Sequence, residues 1–217
     1  MDWGIAIASL FWAVPLGKLS SGVVVRELRR VGERRRARDA LRAIPPLSAT
    51  TADGTLARVT GIATPIEGHT LIAPLTGRAC LAHRSRAAAR GGLLQGIAVI
   101  ERIELCPFSL GEVEIHSANT RLDMPPTPLR PSPAQRDRYD RFLYPIGLHR
   151  HSRCFGGYGP EFEEIIVTPG LRITVAGLVM LEISDRARGE LGFRDRAVRA
   201  RLVGDAEHPI VIGRAVD

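Results

Sequence analysis

The sequence predicts a mainly β-structured (α+β) chain, a small barrel or sandwich, with an N-terminal membrane helix and one or two peripheral helices. Glycine (22 residues) and proline (15 residues) are frequent among the 217 residues, whereas aromatic residues make up only 5%. Apolar residues make up 45%, which is enough for a normal hydrophobic core. Short apolar runs with alternating patterns are separated by turn residues, and this arrangement favours short strands over a helical bundle.

The first segment, residues 1–25, is predicted to anchor the chain to a membrane. From Trp3 to Leu16 every residue except Ser9 is apolar, glycine or proline, and residues 23–25 are again apolar. As a helix, Trp3 to Val25 would be about 34 Å long, enough to cross a hydrocarbon core of about 30 Å; a helix lying in the interface is the alternative. A cleaved signal peptide fits less well, because the chain starts with Met-Asp and no Ala-x-Ala motif follows. A buried core helix is a further alternative. The residues expected to contact lipid are Trp3, Leu10, Phe11, Trp12 and Leu16.

The second segment, residues 26–50, is predicted to be an arginine-rich juxtamembrane helix and linker. Residues 26–42 hold eight arginines against three carboxylates, so most of the net charge of +7 lies here. By the positive-inside rule, this distribution places the following domain on the cytoplasmic side. Nucleic-acid binding is the weaker interpretation, since no aromatic residues are interleaved. A helix that is merely exposed to solvent explains the pattern as well as contact with lipid headgroups does. The candidates for contacts with lipid headgroups are Arg29, Arg30, Arg34, Arg35 and Arg36.

The remaining residues, 51–217, are predicted to form one β-rich domain. The clearest hairpin is expected to join two strands through a turn at Pro169 and Gly170, because both flanking segments alternate in hydrophobicity. The interval 184–201 stays open between helix and loop. Strands are expected at residues 56–62, 79–86, 96–105, 112–116, 162–168, 171–181 and 210–212.

A proline-dense interval, residues 123–133, divides the domain and is predicted to be an exposed linker. A helix is expected directly after it, with Ser132 as N-cap and Pro133 at the first helical position. The apolar face of this helix is expected to consist of Tyr139, Phe142 and Leu143.

Two predicted strands share a central glycine, in Val-Thr-Gly-Ile around Gly61 and Val-Ala-Gly-Leu around Gly177. Glycine inside a strand indicates a bend or a close approach of two backbones, as in small closed barrels. This feature favours a barrel related to OB-type barrels.

Four motifs follow one another along the domain: Val59-x-Gly61, Ala-Pro-Leu-Thr-Gly-Arg-Ala-Cys at 73–80, Cys-Pro-Phe-Ser-Leu at 106–110, and a strand-turn-strand motif at 163–177. Their order resembles the GIDE (BAM) domain of membrane ubiquitin ligases and of their prokaryotic relatives. The resemblance covers roughly residues 50 to 215 and implies a membrane-associated domain linked to stress or ubiquitin-like pathways. The family-motif positions are Gly61, Pro74, Gly77, Cys80, Pro107, Phe108, Glu164, Pro169, Gly170 and Gly177.

The RING finger of those ligases has no counterpart here, because no closely spaced set of Cys and His zinc ligands follows Gly177. Ligase activity is therefore not expected. The leading hypothesis is a non-catalytic binding or scaffold domain, without a cofactor, whose partners are membrane lipid and a protein.

The alternative hypothesis is a small metal- or thiol-dependent enzyme at the membrane. His149, His151 and Cys154 are the candidate metal ligands, since two histidines at i and i+2 share one face of a strand. Cys80 stands in an apolar context typical of a core thiol. Three widely spaced cysteines indicate no disulfide framework, so a reducing compartment is expected.

Overall fold

The computed structural model describes residues 32, 35–88, 99–117, 119–130, 133–144, 160–183 and 198–215. The chain divides into two compact units, Met1–Arg36 and Ala37–Asp217. The described residues contain no helix that is both long and apolar enough to cross a membrane. The anchor predicted at residues 1–25 lies outside the described residues.

The second unit is mainly β-structured, as the sequence predicts. Residues 37–43 of this unit are helical (α1), and a second helix, α2, covers Arg136–Leu143. The described strands are β1 (Leu56–Pro65), β2 (Leu71–Ile72), β3 (Ala79–Cys80), β4 (Ala82–Ala88), β5 (Val99–Leu105), β6 (Phe108–Leu110), β7 (Val113–Ser117), β8 (Thr120–Asp123), β9 (Thr127–Leu129), β10 (Glu161–Val167), β11 (Arg172–Ile183), β12 (Val198–Gly204) and β13 (Ile210–Arg214).

Five strands close into a barrel in the order β1-β6-β7-β12-β11, and β11 pairs back to β1. All neighbours are antiparallel except β7 and β12, which are parallel. Strand β13 pairs with the first half of β11, and β8 extends the sheet beside β13. Of the two predicted architectures, barrel and sandwich, the barrel is therefore the one that forms. Its interior is filled by apolar side chains from every barrel strand, including Ala57, Phe108, Ile115, Val175 and Leu202.

The two central glycines lie where barrel strands approach closely. A Cβ atom on Gly61 would lie 3.3 Å from the Cβ of Leu110, and one on Gly177 would lie 3.0 Å from the carbonyl oxygen of Val203. Ordinary Cβ contacts are longer, so a side chain at either position would push neighbouring strands apart. The predicted close approach is confirmed.

A second, four-stranded antiparallel sheet has the order β5-β4-β10-β9. Helix α2 contributes its predicted apolar face, Tyr139, Phe142 and Leu143, to a second hydrophobic cluster that also includes Phe162 of β10. The rings of Tyr139 and Phe162 meet edge to face with centroids 4.5 Å apart, a favourable aromatic geometry.

The start of α2 differs from the expectation. Residues Pro133–Gln135 form a 3₁₀ turn, and the α-helix begins at Arg136; the side chain of its N-cap residue, Gln135, does not cap the helix. Ser132, the predicted N-cap, lies outside the described residues.

The predicted hairpin across Pro169 and Gly170 is wrong. Strand β10 pairs with β4 and β9, whereas β11 pairs with β1, β12 and β13, so the two strands belong to different sheets. The turn itself exists, and Gly170 adopts a φ of 83° that favours glycine. The local pattern indicated a turn between two strands, but their pairing partners lie far away in the sequence.

The predicted linker at residues 123–133 is also wrong in part. It contains β9 (Thr127–Leu129), where Pro128 stands opposite Glu163 of β10. Strand β9 is the last strand of its sheet, and proline is tolerated in edge strands because one side of such a strand needs no N–H donors. Proline density therefore indicated an edge strand here rather than a linker.

Candidate binding cleft

A buried carboxylate holds the loop of residues 73–78 in place. Glu164 lies on β10 and is only 2% exposed. Its Oε1 accepts a hydrogen bond from the Leu75 N–H at 3.0 Å, and its Oε2 accepts one from the Thr76 N–H at 3.0 Å. The hydroxyl of Ser85 donates a third hydrogen bond to Oε1 at 2.6 Å. Burial of a carboxylate is tolerated when its oxygens are hydrogen-bonded in this way.

The register of the second sheet places the partners of Glu164. Ser85 on β4 is directly opposite Glu164, and the Oγ of Ser85 also lies 3.3 Å from Nδ1 of His83. On the other side of that ring, Nε2 of His83 lies 3.4 Å from Glu104, its cross-strand partner on β5. A serine, a histidine and a carboxylate thus stand together, but Ser85 is fully buried and gives its proton to Glu164 rather than to His83. The cluster therefore stabilises the sheet and the loop.

The loop at 73–78 contacts helix α2 through Gly77 and Arg138. Gly77 has a φ of 69°, and its N–H donates to the carbonyl of Ala73 at 2.8 Å. A Cβ atom at this position would overlap the guanidinium group of Arg138. The absence of a side chain on Gly77 is therefore what allows Arg138 to lie against the loop.

Between this loop, β5 and α2 lies an open cleft with a volume of about 340 Å³. Arg138 and Arg141 stand three residues apart on α2, a spacing that puts both on one face of a helix. The guanidinium carbon of Arg102 on β5 lies 5.5 Å from the ring centroid of Phe142, within cation–π range. The described residues that line the cleft are Ile72, Ala73, Pro74, Gly77, Arg102, Arg138, Arg141 and Phe142.

The arginines that line the cleft have no ion-pair partner among the described carboxylates. Within the described part of the chain, no carboxylate makes an ion pair with Arg102, Arg138 or Arg141, and Arg141 donates to the backbone carbonyl of Asp137 at 3.2 Å. Glu101 of β5 pairs with Arg84 instead, and Glu104 faces His83.

Both described cysteines are buried free thiols. Burial raises the pKa of the Cys80 thiol to about 11, and the nearby Glu164 and Cys106 add to the effect. Burial also raises the pKa of Cys106, whose sulfur lies 3.3 Å from the carbonyl oxygen of Leu81. Neither thiol has the lowered pKa that activates a cysteine nucleophile.

The structure divides the family-motif positions among four places. It brings Pro74, Gly77, Cys80 and Glu164 together around the 73–78 loop. The sequence around each of these positions did not indicate that they would meet there. Gly61, Phe108 and Gly177 belong to the barrel. Pro169 and Gly170 form the turn between β10 and β11, and Pro107 is exposed between β5 and β6.

The other sequence-predicted sites lie largely outside the described residues. This holds for the metal candidates His149, His151 and Cys154, for the anchor residues Trp3, Leu10, Phe11, Trp12 and Leu16, and for Arg29, Arg30 and Arg34. Arg35 and Arg36 are described and exposed. No group of three potential metal ligands occurs in the described ranges.

Sequence reasoning missed the three arginines of the cleft. The spacing of Arg138 and Arg141 beside the predicted apolar face of α2 was a usable signal. Arg102 gave no such signal, because only the pairing of β5 with β4 brings it to the same place.

The chain matches no protein-family model, and comparisons with curated proteins and with solved structures gave no significant match. The resemblance to the GIDE domain rests on the motifs alone.

Proposed function

We propose that this chain is a non-catalytic binding domain of the GIDE type, tethered to a membrane by its N-terminal segment and facing the cytoplasm. The observation that carries the binding function is the cleft beside α2, where three arginines line one opening without a carboxylate partner among the described residues. A binding role, rather than a catalytic one, is supported by the way the buried polar groups are used. The hydrogen bonds of Glu164 and Ser85 join β10 to β4 and to the 73–78 loop.

We further propose that the barrel is of the OB type, whose five strands form a Greek-key barrel that binds ligands on the face of its second and third strands. The corresponding strands here are β6 and β7. Glu114 of β7 is occupied by ion pairs with Arg199 at 2.8 Å and Arg201 at 3.0 Å. Because this face carries an internal ion-pair network, the cleft is the better candidate for recognition.

The membrane tether is supported by the sequence: an apolar segment from Trp3 to Leu16 followed by the arginine-rich run. A comparison of the full chain with a chain that starts at Arg26 tests it, through retention on membranes after alkaline carbonate washing. A full-length variant with Leu10→Asp and Phe11→Asp is the matched control, since it keeps the length and the arginines but weakens the apolar segment.

Retention of the native chain, with release of both altered chains, is the expected result. Release of the native chain together with the other two would overturn the tether. Retention of all three chains would show that the arginines, which each of them keeps, hold the chain to the membrane rather than apolar insertion.

A further inference from the structure

Three arginines line the cleft, and among the described residues no carboxylate forms an ion pair with any of them. Arg102, Arg138 and Arg141 converge on it from two different elements, β5 and α2. An anion in the cleft would be attracted by each of the three positive charges that line it. The arrangement therefore favours an anionic ligand.

The number and type of donors indicate which anion. Each guanidinium group presents a planar fork of N–H donors that matches carboxylate and phosphate oxygens. A phosphate monoester carries a charge of about −1.5 to −2 and three acceptor oxygens, so it can satisfy several arginines together. A single carboxylate offers one charge and two oxygens, which suits one arginine better than three.

The size and lining of the cleft indicate what the phosphate is attached to. A volume of about 340 Å³ lies at the lower end of small-molecule sites, which suits a headgroup-sized ligand better than a peptide segment. Ile72, Pro74 and Phe142 supply apolar surface beside the arginines, and Ile72 is 64% exposed. An apolar substituent next to the phosphate would cover this surface.

We propose that this cleft, as the recognition site of the binding domain proposed above, binds a phosphate monoester with an apolar substituent. The ester belongs to a soluble molecule or to the headgroup of a phosphatidic-acid type lipid. Because Gly77 has no side chain, the guanidinium group of Arg138 can lie against the loop.

The test uses the full chain in non-ionic detergent at low ionic strength, with binding followed by isothermal titration calorimetry. The probes are inorganic phosphate, phenyl phosphate, dihexanoyl phosphatidic acid and a hexaglutamate peptide. The variants are Arg138→Gln and Arg141→Gln. Arg136→Gln is the matched control, because it removes the same charge from the same helix at an exposed position that does not line the cleft.

Phenyl phosphate is expected to bind more tightly than inorganic phosphate. Loss of one charge-assisted hydrogen-bond donor should weaken it about tenfold in Arg138→Gln and in Arg141→Gln, and at most about twofold in Arg136→Gln. Tighter binding of dihexanoyl phosphatidic acid than of phenyl phosphate, with the same dependence on Arg138, would assign the ligand to a lipid headgroup. Equal or weaker binding of the lipid would assign it to a soluble ester.

Three results would overturn the proposal: no saturable binding of phenyl phosphate, equal weakening by Arg136→Gln, or tighter binding of hexaglutamate than of phenyl phosphate. The last would assign the cleft to an acidic protein segment. If phenyl phosphate does not bind but the native chain resists carbonate washing, the proposed ligand is wrong and the proposed membrane tether stands. If phenyl phosphate binds but carbonate releases the native chain from membranes, the proposed ligand stands and the proposed membrane tether is wrong.

Discussion

Glu164 is a single residue that fixes one wall of the cleft, the loop of residues 73–78. Its two oxygens organise the backbone of the 73–78 loop, and its third bond ties the loop to Ser85 on β4. The amide groups of Leu75 and Thr76 would otherwise be left without these acceptors inside the protein. The same residue therefore determines both the stability of the second sheet and the shape of the cleft wall.

Replacement of Glu164 by alanine is expected to lower the free energy of unfolding by about 3 kcal/mol or more, since three donors lose their acceptor. Glu164→Gln is the matched control and should cost less, because one acceptor oxygen remains while the new NH₂ group faces a donor. Urea denaturation of both variants measures the difference. Values within about 0.5 kcal/mol of the native chain for the alanine variant would contradict the anchoring role.

The thiol of Cys80 gives a second prediction at this scale. With a pKa of about 11, only about 0.1% of the thiol is ionised at pH 8, and the side chain is fully buried. Iodoacetamide at pH 8 is therefore expected to leave Cys80 unmodified in the folded chain and to alkylate it in urea. Peptide mapping by mass spectrometry distinguishes the two states, and rapid alkylation of the folded chain would contradict the burial.

The raised pKa of Cys80 also makes the free energy of unfolding depend on pH. The folded state favours the neutral thiol more than the unfolded state does, so the contribution of Cys80 is complete below the unfolded pKa of about 9. It is lost as the pH rises through 9 towards 11. Cys80→Ala is expected to flatten the alkaline limb of the stability profile.

At the scale of elements, β7 and β12 form the parallel pair of the barrel, and an ion-pair network lies across this pair. Glu114 stands opposite Arg201 in this pair and also contacts Arg199 and His116. Burial opposes ionisation of Glu114, but the hydrogen bonds from His116 and Arg201 and the charges of Arg201 and Arg199 outweigh it. The pKa of Glu114 therefore lies below its usual value.

A carboxylate with a lowered pKa stabilises the folded chain above its unfolded pKa of about 4.5, and this contribution disappears as the pH falls through the folded pKa. Glu114→Gln is expected to cost about 1–2 kcal/mol at pH 7 and to reduce the loss of stability on acidification. Glu112→Gln, an exposed position in the preceding turn, is the matched control. Thermal unfolding from pH 7 to pH 3 measures both, and parallel profiles for the Glu114 variant and the native chain would contradict the assignment.

The comparison of sequence with structure shows which elements could be predicted. The strands β1 and β13 and the helix α2 follow from local periodicity, because each buries one face against a core. The partners of β10 and β11 could not be predicted, since an alternating pattern states that a strand is half-buried but not which strand lies beside it. For the same reason, Glu164 and Gly77 could be singled out as motif positions, whereas the meeting of both with the arginines of α2 could not.

Two hydrophobic clusters organise the second unit as a whole, the barrel core around Phe108 and a smaller cluster around Phe142. The smaller cluster joins α2 to the second sheet and forms part of the cleft wall. Since regions of a protein open with different free energies, the helix and the cleft are expected to open more easily than the barrel.

Phe142→Ala tests this division. Truncation of a buried phenylalanine costs about 3–5 kcal/mol, and loss of this ring also removes the surface on which Arg102 lies. Amide exchange in α2 is therefore expected to accelerate about 100-fold or more, while β1 and β11 keep their protection. Hydrogen–deuterium exchange of the full chain, read out by mass spectrometry, measures both regions.

Phe108→Ala is the matched control and should accelerate exchange in the barrel strands. Equal acceleration of α2 and the barrel in Phe142→Ala would mean that both cores unfold as one cooperative unit, and the cleft could then not be remodelled without loss of the barrel.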